Sequence, residues 1–133
     1  MKYNILLLFS ISLFLSFKPG NDDKILRSMT NKSKAIVLAK ITEQKRCVRM
    51  EDGGIEECNY TFKVIKVYKG KRIKDDIIET TIMNYALVNK EGKMPLVGEQ
   101  FILFLTDQSK LTDTWIGIQA YTDYIDKFLT DNR

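Results

Sequence analysis

Histidine is missing from this chain of 133 residues. That absence excludes Ser-His-Asp and Cys-His catalytic arrangements and every metal site built on imidazole. Cysteine is scarce as well, with only Cys47 and Cys58 present. Two thiols without a histidine cannot fill a zinc shell unless carboxylates complete it. Glycine is thinly spread, and Gly53-Gly54 has no lysine-serine pair after it, so no phosphate-cradling loop is present. Past residue 17 no apolar run is long enough to span a bilayer, which takes about 20 residues in a helix. No internal repeat, low-complexity tract or linker divides the chain. These absences lead to the expectation of a protein without enzymatic activity, catalytic residues, cofactor or metal.

What is present begins at the N-terminus. Met1-Lys2-Tyr3-Asn4 carries one positive charge, Ile5 to Phe17 is an unbroken run of apolar and hydroxyl residues, and Lys18-Pro19-Gly20-Asn21 ends it. This is the layout of a secretory signal peptide, short for a membrane anchor, although an uncleaved anchor is the alternative. A cleavage site is not marked: Ser16 is preceded two positions earlier by Phe14, and Gly20 by Lys18. No cysteine follows closely, which argues against a lipid anchor. The expected organisation is a signal peptide over residues 1–17 and a single domain over 18–133, secreted or periplasmic. Lys2 is the only charged residue in the signal, so the mature chain keeps 20 basic against 17 acidic residues, a net +3. So small an excess does not point to nucleic acid as a partner.

Export puts the two cysteines in an oxidising compartment, where an isolated pair forms a disulfide. They flank Glu51-Asp52-Gly53-Gly54. With Asp52-Gly53 as the centre of a turn, facing residues have numbers that sum to 105, as Cys47 and Cys58 do. The bridge would then lie straight across a hairpin, and so short a loop gives about 2–3 kcal/mol at best. Two free thiols are the alternative.

Hydrophobic periodicity predicts the other elements. Residues 22–32 form a short helix with Ile25, Leu26 and Met29 on one face and acids at its start. A strand follows over 35–43, apolar on both faces in its first half and alternating in its second. In Tyr60 to Tyr68 the alternation Tyr60, Phe62, Val64 changes phase to Ile65, Val67. One extra residue near Val64–Ile65, a β-bulge, restores a single inward face and turns Thr61, Lys63, Lys66 and Tyr68 outward. A strand buried on both faces is the alternative. Lys69-Gly70-Lys71 closes this strand in a basic turn, and further strands are expected over 76–83, 100–106 and 114–121. Tyr124, Ile125, Phe128 and Leu129 mark a short amphipathic helix. Five strands with helices only at the margins predict a mainly β fold, a small antiparallel barrel or sandwich.

Three segments in this order carry a resemblance: Ser33 to Glu43, Tyr60-Thr-Phe-Lys-Val-Ile-Lys-Val-Tyr-Lys-Gly70, and Leu96-Val-Gly-Glu-Gln-Phe-Ile-Leu-Phe-Leu105. Together they resemble the netrin-like domain, in particular the tissue-inhibitor-of-metalloproteinases branch and its small bacterial relatives, over nearly all of residues 22–121. The resemblance implies a five-stranded OB-type antiparallel barrel with short flanking helices. Inhibitory members chelate a protease zinc through a Cys-x-Cys at the mature N-terminus. The mature start here, near Lys18-Pro-Gly-Asn-Asp22, has no cysteine, so that mechanism maps onto no residue of this chain. The expected role is binding a protein or cell-envelope partner. The alternatives are a protease inhibitor working through loops, and a small-ligand or oligosaccharide-binding module with Tyr60, Tyr68 or Trp115 lining a pocket.

Other groupings are weaker. Glu51, Asp52, Glu56 and Glu57 cluster near the hairpin tip but fit no calcium-loop spacing, and a solvated turn accounts for them. Lys63, Lys66, Lys69, Lys71, Arg72 and Lys74 form a basic stretch interleaved with Tyr60, Phe62 and Tyr68, a pattern that nucleic-acid-binding OB folds share and a solvated strand face explains equally. Asn31-Lys-Ser33 and Asn59-Tyr-Thr61 fit the glycosylation sequon.

Overall fold

A computed structural model of the chain describes residues 21–49, 56–83, 95–107, 110–113 and 116–132. The signal segment, Glu51 with the Asp52-Gly53 turn, and Trp115 lie outside these residues. The elements run α1 (Asn21–Lys32), β1 (Ala35–Arg49), β2 (Glu56–Lys69), β3 (Ile77–Met83), β4 (Gln100–Leu105), β5 (Ile118–Ala120) and α2 (Asp123–Asp131). The strands form one sheet in the order β3-β2-β1-β4-β5, with every neighbouring pair antiparallel. The chain is thus mainly β, with β3 and β5 at the two ends of the strand order and two short helices flanking the sheet.

The alternation of side chains along β1 divides the interior in two. Val37, Ala39 and Ile41 join Tyr60, Phe62 and Val64 of β2, Ile78 and Ile82 of β3, Phe101 and Leu103 of β4, and Ile118 of β5 in one core. The opposite side chains, Ile36 and Leu38, join Ile102 and Phe104 of β4 beneath Leu26 and Met29 of α1 and Ile125 and Leu129 of α2. The first half of β1 is therefore apolar on both faces because both faces are covered. Its second half is not: residues 42–48 are exposed. Burying one such aliphatic or aromatic side chain contributes about 1.5–3 kcal/mol.

The phase change in β2 is a bulge, at Ile65. Ala39 pairs with Val64 and Leu38 with Lys66, which leaves Ile65 as the extra residue. Tyr68 is a second one, since Val37 pairs with Val67 and Ile36 with Lys69. Val67 returns to the face of Val64, as expected, but Ile65 packs on the helix side instead of beside Val67. Tyr68 and Thr61 point away from the first core as expected and yet are buried. For Tyr68 the cover is the helix-side cluster, whose presence strand periodicity does not reveal.

One helix residue and one strand differ from expectation. Leu26 and Met29 of α1 are buried, but Ile25 is 40% exposed. In α2 the Thr122 side chain caps the helix by accepting from the Ile125 amide at 3.2 Å, and Ile125 and Leu129 are buried. The fifth strand is shorter than the expected 114–121: only Ile118–Ala120 pairs, with Phe101 to Leu103. Ahead of it the Gly117 amide donates to the Asp113 carbonyl at 2.9 Å and the Ile116 amide to the Asp113 carboxylate at 3.0 Å, while residues 114–115 lie outside the described residues.

Candidate functional site

Among the described residues the outer half of β1 pairs with β2 alone. Pairing with β4 ends at Lys40–Gln100, extended only by Ile41, which exchanges backbone hydrogen bonds with Gly98 at 2.7 Å and Glu99 at 3.0 Å. Beyond this point β1 runs on along β2, whose other side pairs with β3 as far as Glu57–Met83, and this outer end of β1 and β2 forms an arm at the margin of the sheet. Its register runs from Arg46–Asn59 through Cys47–Cys58 and Val48–Glu57 to Arg49–Glu56, the pairing that a turn centred on Asp52-Gly53 dictates. Cys47 and Cys58 are joined by a disulfide with Cα atoms 4.1 Å apart. Cys58 is buried and Cys47 exposed, so the bridge ties the exposed face of the arm to the end of the core.

The open edge of the arm is not a regular strand. Register shifts leave Thr42 and Lys45 without register partners in β2, although the Thr42 hydroxyl donates to the Thr61 carbonyl at 3.2 Å, and such bulges, with charged side chains, guard an edge against indiscriminate pairing. Lys45 reaches across β2 to form an ion pair with Glu79 of β3. The hydrogen bond and charge of Glu79 hold the Lys45 ammonium above its ordinary pKa, against a smaller opposing effect of burial. Val48 is 51% exposed on the arm. A shallow pocket of about 240 Å³ is lined by Lys45, Asn59, Tyr60, Glu79, Thr80 and Thr81. A second, of about 320 Å³, lies by Arg46, Val48 and Glu57.

Among the described residues, Tyr60, Phe62 and Tyr68 do not form a stacking surface. Tyr60 borders the smaller pocket but is only 1% exposed, and Tyr68 is buried against α2. The Tyr68 hydroxyl donates to Asp126, which also accepts from Lys66 at 3.1 Å. The Tyr68 hydrogen bond, with help from Lys66, holds the Asp126 carboxyl below the usual carboxylate range despite an opposing desolvation. Together these groups latch α2 to β2.

The basic stretch is dispersed by folding. Lys63 pairs with Asp75 at 3.6 Å, Lys66 with Asp126, and Lys69 donates to the Thr30 carbonyl at 2.8 Å. Lys71 and Arg72 instead border a groove of about 700 Å³ together with Lys34, Ala35, Asp76 and Asp107. The sequence carries no sign that Lys34 belongs with them. Gly70 brings them together: at φ +97° it packs so closely on β1 that a Cβ would stand 2.8 Å from the Lys34 carbonyl oxygen. Of the acidic grouping, Glu51 and Asp52 lie outside the described residues, and among the described residues no cluster of three or more metal-ligating side chains occurs. No described helix is long and apolar enough to cross a membrane. Of the sequon residues, Asn59 accepts a hydrogen bond from Thr81 and Ser33 is buried. No family model and no curated protein matches the chain.

Proposed function

We propose that the chain is an exported, non-enzymatic binding protein built on an OB-type barrel, and that its arm meets a protein or cell-envelope partner. The observation that carries this reading is the arm itself. The disulfide-bridged outer half of β1, exposed over residues 42–48, runs past the end of its pairing with β4 and, among the described residues, leaves its outer edge unpaired. A rigid ribbon loses little conformational freedom on binding, which favours its use as a contact surface. The barrel is supported by the strand order, since β3-β2-β1-β4-β5 is an OB barrel unrolled between β3 and β5. The netrin-like resemblance is supported by the roles of its segments: the Val97-Gly98-Glu99 turn leads into β4 and bonds to Ile41, and the Tyr60–Gly70 segment is the bulged strand.

The test uses the disulfide-bonded mature chain as bait on extracytoplasmic material from the source, with an Arg46→Glu/Val48→Asp variant in parallel. The expected result is a partner retained by the wild type and lost by the variant. Equal retention by both would overturn the arm as the contact surface. Assay against metallo-, serine and cysteine proteases separates the inhibitor reading, which predicts inhibition that the same variant abolishes.

A further inference from the structure

We propose that the groove between Lys34 and the Gly70–Arg72 turn binds an oxyanion, the carboxylate or phosphate group of a small ligand. It lies at the opposite end of β1 from the arm, so the inference goes beyond the arm reading and can fail independently of it. The argument rests on where charge is and is not compensated. Within the basic stretch, Lys63 and Lys66 have carboxylate partners and Lys69 has a carbonyl. Among the described residues Lys34, Lys71 and Arg72 have no ion pair, and all three border the same concavity of about 700 Å³.

The two acids of the groove do not fill that role. Asp76 Oδ2 accepts from the Ile73 amide at 3.0 Å, and Asp107 Oδ1 accepts from the Lys110 amide at 3.3 Å. Each carboxylate also caps the backbone of its own loop, and with three cations against two carboxylates along its lining the groove stays net positive. Ala35 and Gly70 give it a floor with no side chain larger than a methyl group. Arg72 brings a planar fork that suits two oxygens at once, with Lys34 and Lys71 as point charges beside it. Like charges that border one concavity without an ion pair cost free energy that a bound anion relieves.

The experiment is a titration of the ¹⁵N-labelled mature chain with inorganic phosphate and, separately, with acetate, at constant ionic strength. Saturable amide shifts centred on Lys34, Gly70, Lys71 and Arg72 are expected. Binding should weaken at least tenfold in Lys34→Gln/Arg72→Gln and measurably in Lys71→Gln, a single change in an exposed turn that leaves the fold intact. Lys45→Gln, on the arm, should bind like the wild type. Saturation by phosphate alone or acetate alone names the group recognised. Shifts that stay linear with both anions, that spread equally to Lys45 and Lys127, or that survive in the two groove variants would overturn the site.

Discussion

Gly70 and Gly98 both stand at φ +97°, a conformation that L side chains rarely adopt. They differ in surroundings. A Cβ at Gly70 would meet the Lys34 carbonyl at 2.8 Å and Ala35 at 3.0 Å, whereas at Gly98 nothing lies within 4 Å. Gly98→Ala should therefore cost only the backbone strain, about 1 kcal/mol, and Gly70→Ala about 1–2 kcal/mol more. Urea unfolding of both variants measures the gap; equal losses would show that the close approach of the turn to β1 is not constraining. Asp126 is the second informative residue. Its depressed pKa means that its contribution to stability is complete above the unfolded value, about 3.9 for a free Asp, and is lost as pH falls through the lower folded value. Asp126→Asn should cost about 1 kcal/mol at pH 7, and the difference from wild type should shrink in acid. A loss of the same size at pH 7 and pH 2 would show that shape rather than charge holds α2 at this point.

Elements were legible in the sequence where one physical cause dominated. The Cys47–Cys58 pairing followed from turn symmetry, because two strands joined by a tight turn admit one register, and the observed pairing from Arg46 to Arg49 keeps it. The bulge in β2 was legible as a phase change, but the destination of Ile65 was not: either face could take it until α1 and α2 were known to cover the second one. For the same reason Tyr68 read as an outward residue and is a core residue. The short β5 was illegible because the stretch ahead of it is held by backbone and carboxylate bonds at Asp113 that leave no hydrophobic pattern. The groove was illegible because Lys34 and Arg72 meet only through the pairing of β1 with the end of β2. At this scale the disulfide makes a limited contribution. Its loop is short, so Cys47→Ser/Cys58→Ser should lose about 2–3 kcal/mol at most and leave the sheet folded. Denaturant unfolding of that variant, beside wild type with and without reductant, checks this. Alkylation of the native chain before reduction would instead reveal free thiols and remove the bridge from the account.

The molecule as a whole depends on a sheet whose central strands are buried on both faces. One core, the inner, lies on one face of the sheet and is supplied by all five strands; the other exists only while α1 and α2 cover Ile36, Leu38, Ile102 and Phe104. The helix-side core is thus assembled from the two ends of the domain, with the Tyr124 hydroxyl of α2 donating to Asp23 of α1 and Tyr68 and Lys66 holding Asp126. Closing the domain this way makes the last helix a condition of stability rather than an appendage. Ending the chain after Thr122 would remove Ile125 and Leu129 from this cluster and strip α2's share of the cover from Ile36, Leu38, Ile102 and Phe104. At about 1.5–3 kcal/mol for each side chain uncovered, the loss is comparable to the whole stability of a typical domain, about 5–15 kcal/mol. The truncated chain should bind the dye ANS and lose its cooperative thermal transition, while the full mature chain shows one sharp transition and little dye binding. Full cooperativity without α2 would mean that the inner core alone sustains the sheet, and that the helices serve the surface they cover rather than the fold.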